Sequence, residues 1–397
     1  MWSWQDLRSL LGTERPPRGV AACHSVGDLR DRARRRVPRP VFDYVDGAAG
    51  DEMSLERSTA AFRSVEFHPR VLRNVTSVSA ETTILGRRSP FPLVLGPTGF
   101  TRMMHHSGEP AVARVAAAAG IPYTLSTMGT TSIEDLVDAA PGADLWFQLY
   151  IWRDRARSKD LVDRATEAGY RVLVVTVDVP VAGPRLRDVR NGLTIPPRLT
   201  LRSLAGMARY PSWWANVVTS PPLSFATFAG APSDLAGLIN SMFDPSVTVE
   251  DLEWLRGQWD GPLVVKGITT LEAAREVVAA GADGIVVSNH GGRQLDRSPV
   301  TLEALPAIAA ALGDRCEILL DGGIRSGADV IAGVALGARA CMVGRAYLYG
   351  LMAGGEAGVK RAVDLLTAEA LLTLRLLGAT GLGDLGDGLV SLRPAPR

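Results

Sequence analysis

Gly284 to Asp296 reads GIVVSNHGGRQLD, an apolar run that stops abruptly at an imidazole, a guanidinium and two glycines. A short run of this kind, without helical spacing, suits a strand of a buried parallel sheet. Barrels and open α/β sheets place their chemistry at the C-terminal ends of such strands. His290 can exchange a proton near neutral pH, and Arg293 can hold a carboxylate through two parallel hydrogen bonds. Gly291 and Gly292 let the backbone approach a flat ligand.

The same pattern recurs on both sides of this stretch. FPLVLGPTG (91–99), YTLST (123–127), LWFQLY (145–150), RVLVVTVD (171–178), LVVKG (263–267), GIVVSN (284–289), EILLDGG (317–323) and ACMVGRA (340–346) are apolar runs of strand length. Between them AVARVAAAAG, TSIEDLVDAA, SKDLVDRATEAG, LEAAREVVAAG, LEALPAIAAALG and GADVIAGVALG have helical spacing and close at or near a glycine. Eight such units predict an α/β chain folded as a (β/α)8 TIM barrel. A doubly wound sheet is the alternative, but its smaller strand count and early GxGxxG loop are not seen.

Upstream of the first run the reading is a helical cap. Residues 1–25 are polar and proline-rich and are expected to be a loosely held extension. Val26 to Arg36 suits a short amphipathic helix, and PVFDYVDGAAGDE a second one closed by Gly47 and Gly50. Residues 51–90 suggest a helix and short antiparallel pieces ending in a turn from Gly86 to Pro90. The barrel domain is expected over 26–390, with a C-terminal tail over 391–397. Between Asp178 and Leu263 there are too many residues for one crossover helix, so 179–248 is a long loop after the fourth strand, either a lid or a mobile segment. Its Trp213 and Trp214 could pack on the barrel or a neighbouring subunit, or meet a membrane.

Composition narrows the function classes. With 397 residues, 46% hydrophobic, the chain can bury one large core. Its 43 basic and 42 acidic residues give a formal charge of +1, so no overall field favours nucleic acid. The basic run Arg30 to Arg36 reads as a solvated helix face. Cys23, Cys316 and Cys341 form no CxxC, which points to a reducing cytoplasm and no structural metal. With no apolar leader and no stretch near the roughly 18 uninterrupted apolar residues of a span, the expected location is cytoplasmic, at most peripheral to a membrane.

If the barrel is right, the polar residues at its strand ends share one mouth: Pro97, Thr98 and Gly99; Ser126; Gln148 and Tyr150; Thr176 and Asp178; Lys266; Ser288, His290 and Arg293; Asp321, Gly322, Gly323 and Arg325; Gly344 and Arg345. Burying so many hydrogen-bonding groups is costly unless a ligand or network satisfies them. DGGIR and GRA bring glycine amides and two arginines to the last two strands, where barrels of this class bind phosphate, so a phosphorylated cofactor is implied. Lys266 would place positive charge near its ring, or else make a strand-end ion pair. Of five histidines, His290 is the candidate base, because Arg293 stands beside it and Asp178 lies across the mouth to orient it. A lone histidine would read as structural.

SNHGGRQLD, VKG, DGGIR, GRA, LGPTG, FQLY and TVDVP together closely resemble the FMN-dependent L-2-hydroxy acid dehydrogenase and oxidase family, over about Val26 to Val390. FDPSVTVEDLEWL and RAYLYGLMAGGEAGV look most like its bacterial L-lactate dehydrogenases that use cytochrome or quinone. The resemblance implies an FMN-binding (β/α)8 barrel in which His290 is the base and Asp178 stabilises its imidazolium. Arg293 and Arg185 would hold the substrate carboxylate, and Tyr44 and Tyr150 would bond its carboxylate and hydroxyl. Lys266 would sit near flavin N1 and the C2 carbonyl. Ser126, Gln148 and Thr176 would bond the isoalloxazine, and the Pro97–Gly99 backbone would face its other edge. Ser288 stands with this cofactor set, while Asp321, Gly322, Gly323, Arg325, Gly344 and Arg345 would bind ribityl and phosphate.

One departure is Met128, where glycolate oxidases usually carry tryptophan. A thioether there shapes a different apolar wall, so lactate or a bulkier acid is expected over glycolate. The implied reaction is oxidation of an L-2-hydroxy acid, L-lactate to pyruvate first, with quinone, cytochrome or O2 as acceptor. A mandelate-type or biosynthetic oxidase and a silent scaffold are the rivals. The resemblance also implies a homo-oligomer, a tetramer, with possible peripheral contact on the inner face of the cell membrane.

Overall fold

The computed structural model describes residues 17–192, 209–218, 226–227, 243–386 and 388–393. The chain enters through helices α1 (Val26–Arg36), α2 (Arg39–Asp46) and α3 (Met53–Ala61). Ser25 begins α1 with a capping box in which Ser25 and Asp28 satisfy each other's backbone amides. Pro38 and Pro40 begin α2, where a missing amide hydrogen costs nothing, and Gly47 closes it. Strand β1 (Val65–Phe67) and the hairpin of β2 (Thr82–Ile84) and β3 (Arg87–Ser89) follow. The hairpin turns at Leu85 and Gly86, both at positive φ, rather than over Gly86 to Pro90.

Eight parallel strands then close a barrel in chain order: β4 (Leu93–Leu95), β5 (Tyr123–Ser126), β6 (Leu145–Leu149), β7 (Val172–Thr176), β8 (Leu263–Ile268), β9 (Gly284–Val287), β10 (Glu317–Asp321) and β11 (Ala340–Val343). β11 returns to pair with β4. Each of the eight predicted runs supplies one of these strands. Alternation explains why the runs are apolar throughout. Val94, Trp146, Val172, Val174, Val264, Val286, Leu319, Ala340 and Met342 form an inner cluster, plugged at one end by Ile84 and Leu85 of the hairpin. The alternate residues, such as Leu93, Phe147, Leu173, Val265 and Ile285, join the cluster that includes the surrounding helices. Burying each such side chain contributes about 1.5–3 kcal/mol before the opposing chain entropy is counted.

The surrounding helices are α4 (Thr101–Met104), α5 (Gly108–Ala119), α6 (Ile133–Ala139), α7 (Arg155–Glu167), α8 (Leu186–Arg190), α9 (Pro211–Val218), α10 (Val249–Arg256), α11 (Leu271–Ala279), α12 (Thr301–Leu312), α13 (Gly327–Ala335) and α14 (Arg345–Leu377). The last is bent at Gly354 and Gly355 and packs against α1. β12 (Val390–Leu392) pairs with β1, tying the end of the described chain to the strand that follows α3.

Two sequence expectations meet a more tightly packed chain. Of the N-terminal extension, 1–16 lie outside the described residues. Gly19–Ala22 form a 3-10 turn against α14, and the Cys23 carbonyl accepts from Arg361 Nε at 2.9 Å. Of the long loop, 193–208, 219–225 and 228–242 lie outside the described residues. Trp213 is buried and its indole N–H donates to the Met103 carbonyl at 3.0 Å, so it packs onto the barrel. An indole prefers this arrangement because it buries a large ring while satisfying its one donor. Among the described residues no helix is long and apolar enough to cross a membrane.

Candidate active site

The C-terminal ends of the strands open into one cleft of about 1350 Å³, counting its open mouth. His290 follows β9 and stands at φ 56°, in the left-handed region that only a few per cent of non-glycine residues adopt. Its Nδ1 lies 2.9 Å from Asp178 Oδ1, across from the end of β7. Nε2 has no hydrogen-bond partner among the described residues, and the ring lines the cleft. A carboxylate on Nδ1 fixes the tautomer that leaves Nε2 able to accept a proton.

Opposite this pair the cleft gathers Tyr44, Tyr150, Arg185 and Arg293. Both guanidinium groups lie over the Tyr44 ring, Arg293 at 4.9 Å and Arg185 at 5.6 Å from its centroid. Arg293 also donates to the Tyr44 carbonyl at 2.5 Å, which anchors it to α2. Burial, together with the neighbouring Arg185, pushes the Arg293 pKa below the usual guanidinium range. Two such cations side by side favour an anionic ligand. Neither tyrosine hydroxyl has a hydrogen-bond partner among the described residues, and burial raises the Tyr150 pKa, so that hydroxyl stays protonated and able to donate.

Beneath the cleft, Lys266 Nζ sits 3.0 Å from Asp321 Oδ2 and donates to Ser288 Oγ at 2.9 Å, while Ser288 Oγ donates to Asp321 at 2.7 Å. Burial alone would lower the Lys266 pKa, but Asp321 and Asp178 outweigh it and raise it. Burial alone would raise that of Asp321, but Lys266 and Ser288 lower it. The pair is therefore ionised. Ser288 is fully buried within this network and also accepts the His290 amide at 3.1 Å, so its hydroxyl faces the ion pair and not the cleft.

The remaining predicted residues lie around the same cleft. Pro97, Thr98, Gly99, Ser126, Met128, Thr176, Gly322, Gly323, Arg325, Gly344 and Arg345 all line the cleft. Gln148 stands behind Ser126, whose hydroxyl donates to Gln148 Oε1 at 3.0 Å. Three of the Arg345 N–H groups donate to the carbonyls of Val45, Gly291 and Gly47 at 2.7–2.8 Å. The side chain clamps α2 to the His290 loop, with only its two other N–H groups left for a ligand. Burial pushes its pKa down to about 10.

These residues fit a flavin mononucleotide. Gln148 Nε2 and Thr176 Oγ1 are buried without a hydrogen-bond partner among the described residues, a costly state that a ring with polar edges would relieve. At Gly344 an added Cβ would find its nearest neighbour, Thr98 Cγ2, at 3.5 Å. Protein packing does not demand glycine there, whereas close approach of a phosphate would. Sequence reasoning missed Phe243, which meets Tyr150 edge to face at 5.8 Å, as well as Val179 and Gln294. Phe243 and Val179 belong to the long interval, where no periodicity marks the cleft, but Gln294 lies within the quoted stretch itself.

A closed parallel barrel whose mouth holds a histidine–carboxylate pair, twin arginines and a glycine-rich corner has the make-up of a cofactor-dependent barrel enzyme. Residues 33–392 match the FMN-dependent dehydrogenase family, and the chain belongs to it. It is 54% identical over 386 residues to a putative L-lactate dehydrogenase of Mycobacterium tuberculosis (strain H37Rv), covering 96% of this chain and 93% of that one. It is 43% identical to an L-lactate dehydrogenase of Caulobacter vibrioides, over 93% and 98% of the two chains. Among solved structures it resembles the monotopic membrane protein (S)-mandelate dehydrogenase, with a TM-score of 0.89, 37% identity and coverage of 94% and 100%. A mandelate oxidase crystallised with 3,3-difluoro-2-hydroxy-3-phenylpropionic acid gives a TM-score of 0.80 at 40% identity, with coverage of 94% and 100%. The chain is thus an FMN-dependent 2-hydroxy acid dehydrogenase.

Proposed function

We propose that this protein oxidises L-lactate to pyruvate, with His290 as the base. The observation that carries the reading is the Asp178–His290 pair, whose free Nε2 shares one cleft with Arg185, Arg293, Tyr44 and Tyr150. FMN, when bound, supplies a two-electron acceptor for the substrate's α-carbon. Arg293 and Arg185 hold the substrate carboxylate, and the Tyr44 and Tyr150 hydroxyls bond its carboxylate and hydroxyl. His290 Nε2 takes the proton from the hydroxyl or from the α-carbon. Asp178 stabilises the imidazolium so formed. Ser126, Gln148, Thr176 and the Pro97–Gly99 backbone would hold the isoalloxazine, with Lys266 beside its pyrimidine edge. Asp321, Gly322, Gly323, Arg325, Gly344 and Arg345 would hold ribityl and phosphate.

Arg293→Lys tests the carboxylate clamp. A point charge on a flexible stem cannot make two parallel bonds, so KM should rise by about 10- to 100-fold with a smaller change in kcat. Steady-state kinetics with an unchanged KM would remove Arg293 from this role.

The L-lactate dehydrogenase relatives support lactate as substrate. A second reading, an aryl 2-hydroxy acid, is favoured by the apolar wall of Met128, Val179 and Phe243 and by the likeness to mandelate enzymes. Turnover of L-lactate, (S)-mandelate and glycolate side by side should give the highest kcat/KM with lactate. A mandelate value tenfold higher would replace the first reading with the second. For the acceptor we infer a quinone or cytochrome reached from a peripheral seat on the membrane, and a homo-oligomeric assembly. Oxygen uptake and peroxide release that match lactate turnover, with or without a quinone analogue, would instead assign O2. A colourless protein that rejects added FMN would leave the barrel as a scaffold.

A further inference from the structure

The carboxylate that holds His290 is itself weakly held. Asp178 Oδ1 meets Nδ1 at 2.9 Å, but Oδ2 is buried without a hydrogen-bond partner among the described residues. A carboxylate with one bond takes its direction from its backbone. Asp178 lies just past β7, in a stretch without regular structure that runs to the start of α8 at Leu186. Whatever fixes this stretch therefore aims the carboxylate.

Its ends are tied by the Val177 amide, which donates to the Lys266 carbonyl at 2.9 Å, and by the Pro184 carbonyl, which accepts from the Gly50 amide at 3.0 Å. Between these ties, two further contacts fix it. On one side β8 carries a bulge at Gly267, φ 113°, where a Cβ would stand 2.7 Å from Asp178 Cβ and Cγ. The missing side chain makes the space that Asp178 fills. On the other side stands the Gln294 carboxamide, from the loop that bears His290. Its Nε2 donates to the Val181 carbonyl at 3.0 Å and to the Asp178 carbonyl at 3.4 Å, and its Oε1 accepts from the Gly183 amide at 3.3 Å. At Gly183 a Cβ would stand 2.4 Å from the Arg293 carbonyl oxygen and 2.8 Å from Gln294 Cα. The two segments thus meet backbone to backbone, and the amide stitches them together at three points.

We propose that Gln294 is a positioning residue for the hydroxy acid reaction: its carboxamide clips the Asp178 segment onto the His290 loop and so sets the Asp178–His290 hydrogen bond. The proposal rests on His290 being the base. Because the amide touches the backbone of one dyad partner and belongs to the loop of the other, its loss moves the two apart without altering either side chain. Gln294 also lines the cleft, so direct contact with substrate is the competing role.

The test uses the FMN-loaded enzyme with Gln294→Met, Gln294→Glu, Asp178→Asn and the double variant Q294M/D178N. Q294M removes all three bonds at similar length, whereas Q294E keeps the acceptor for Gly183 and loses both donors. In anaerobic single turnovers both Gln294 variants should lower the limiting rate of flavin bleaching by about 10- to 100-fold, the scale expected for a misplaced catalytic group, with the substrate Kd within about twofold. The double variant should be no slower than D178N. Independently of turnover, spectra of protein labelled with nitrogen-15 in its histidine rings should show the Asp178-bonded N–H of His290 in the parent and its shift or loss in Q294M. Equal slowing of D178N and the parent by Q294M, a raised Kd with an unchanged limiting rate, or an unmoved histidine signal would overturn the proposal. If instead His290→Gln keeps normal bleaching, the base assignment fails, and the histidine spectra still decide whether Gln294 sets the pair.

Discussion

Replacing His290 with glutamine is expected to slow substrate-driven bleaching of the bound flavin by about 10⁴-fold, equivalent to about 5.4 kcal/mol of transition-state stabilisation. Glutamine has a similar volume and places its amide near the position of Nε2, but it has no site that takes up a proton near neutral pH. With Nδ1 held 2.9 Å from Asp178 Oδ1 and Nε2 unpartnered among the described residues, the imidazole stands where its loss removes the proton-accepting site. FMN content should stay at the parent level, because the unpartnered Gln148 and Thr176 groups and the Gly344 corner lie on other strands. Anaerobic stopped-flow absorbance measures the rate, and a value within tenfold of the parent would remove His290 from the chemistry.

Lys266→Met is expected to destabilise the folded protein by about 3–5 kcal/mol, because it leaves the Asp321 carboxylate buried without its cation. The parent pair lies at 3.0 Å and shares Ser288, so the loss is of one network and not of an exposed contact. The pH dependence follows from the two shifts. The Lys266 pKa is raised on folding, so its contribution is full below the ordinary lysine value and is lost as pH rises through the folded one. That of Asp321 is lowered, so its contribution is full above the ordinary carboxylate value and is lost as pH falls through the folded one. The parent's contribution from this pair is therefore level across neutral pH and fades below about pH 4 and above about pH 10.4. In K266M the stranded carboxylate binds its proton more readily folded than unfolded, so stability should rise as pH falls. Adding Asp321→Asn should recover much of the loss. Thermal melts from pH 4 to pH 9 check both, and a K266M variant melting like the parent at every pH would refute the network's role.

The eight strands were legible because parallel strands buried on both faces must be apolar at every position, and each run stops at the polar residues of the mouth. Strand-end position likewise made His290, Lys266, Thr176 and the glycine corner readable as one site. Tyr44 and Arg185 were not legible in this way. Tyr44 sits on α2, far from any strand end in sequence, and Arg185 opens α8 inside the long interval. Only the resemblance to a known family pointed to them, and only packing brings them together, with the Arg185 guanidinium 5.6 Å from the Tyr44 ring centroid.

What the sequence by itself determined was the order of strands and helices, the mouth they share and the chemical types gathered there, since these follow from periodicity and from the rule that strand ends converge. What the tertiary structure decided was the use of each group. It turned Ser288 into a strut of the Lys266–Asp321 pair, engaged Arg345 with three carbonyls, drew Trp213 into the barrel and made Gln294 a link between two loops. The physical reason is that a donor's meaning depends on which acceptor lies within about 3 Å of it. Chain order does not carry that distance when the partners stand on different strands.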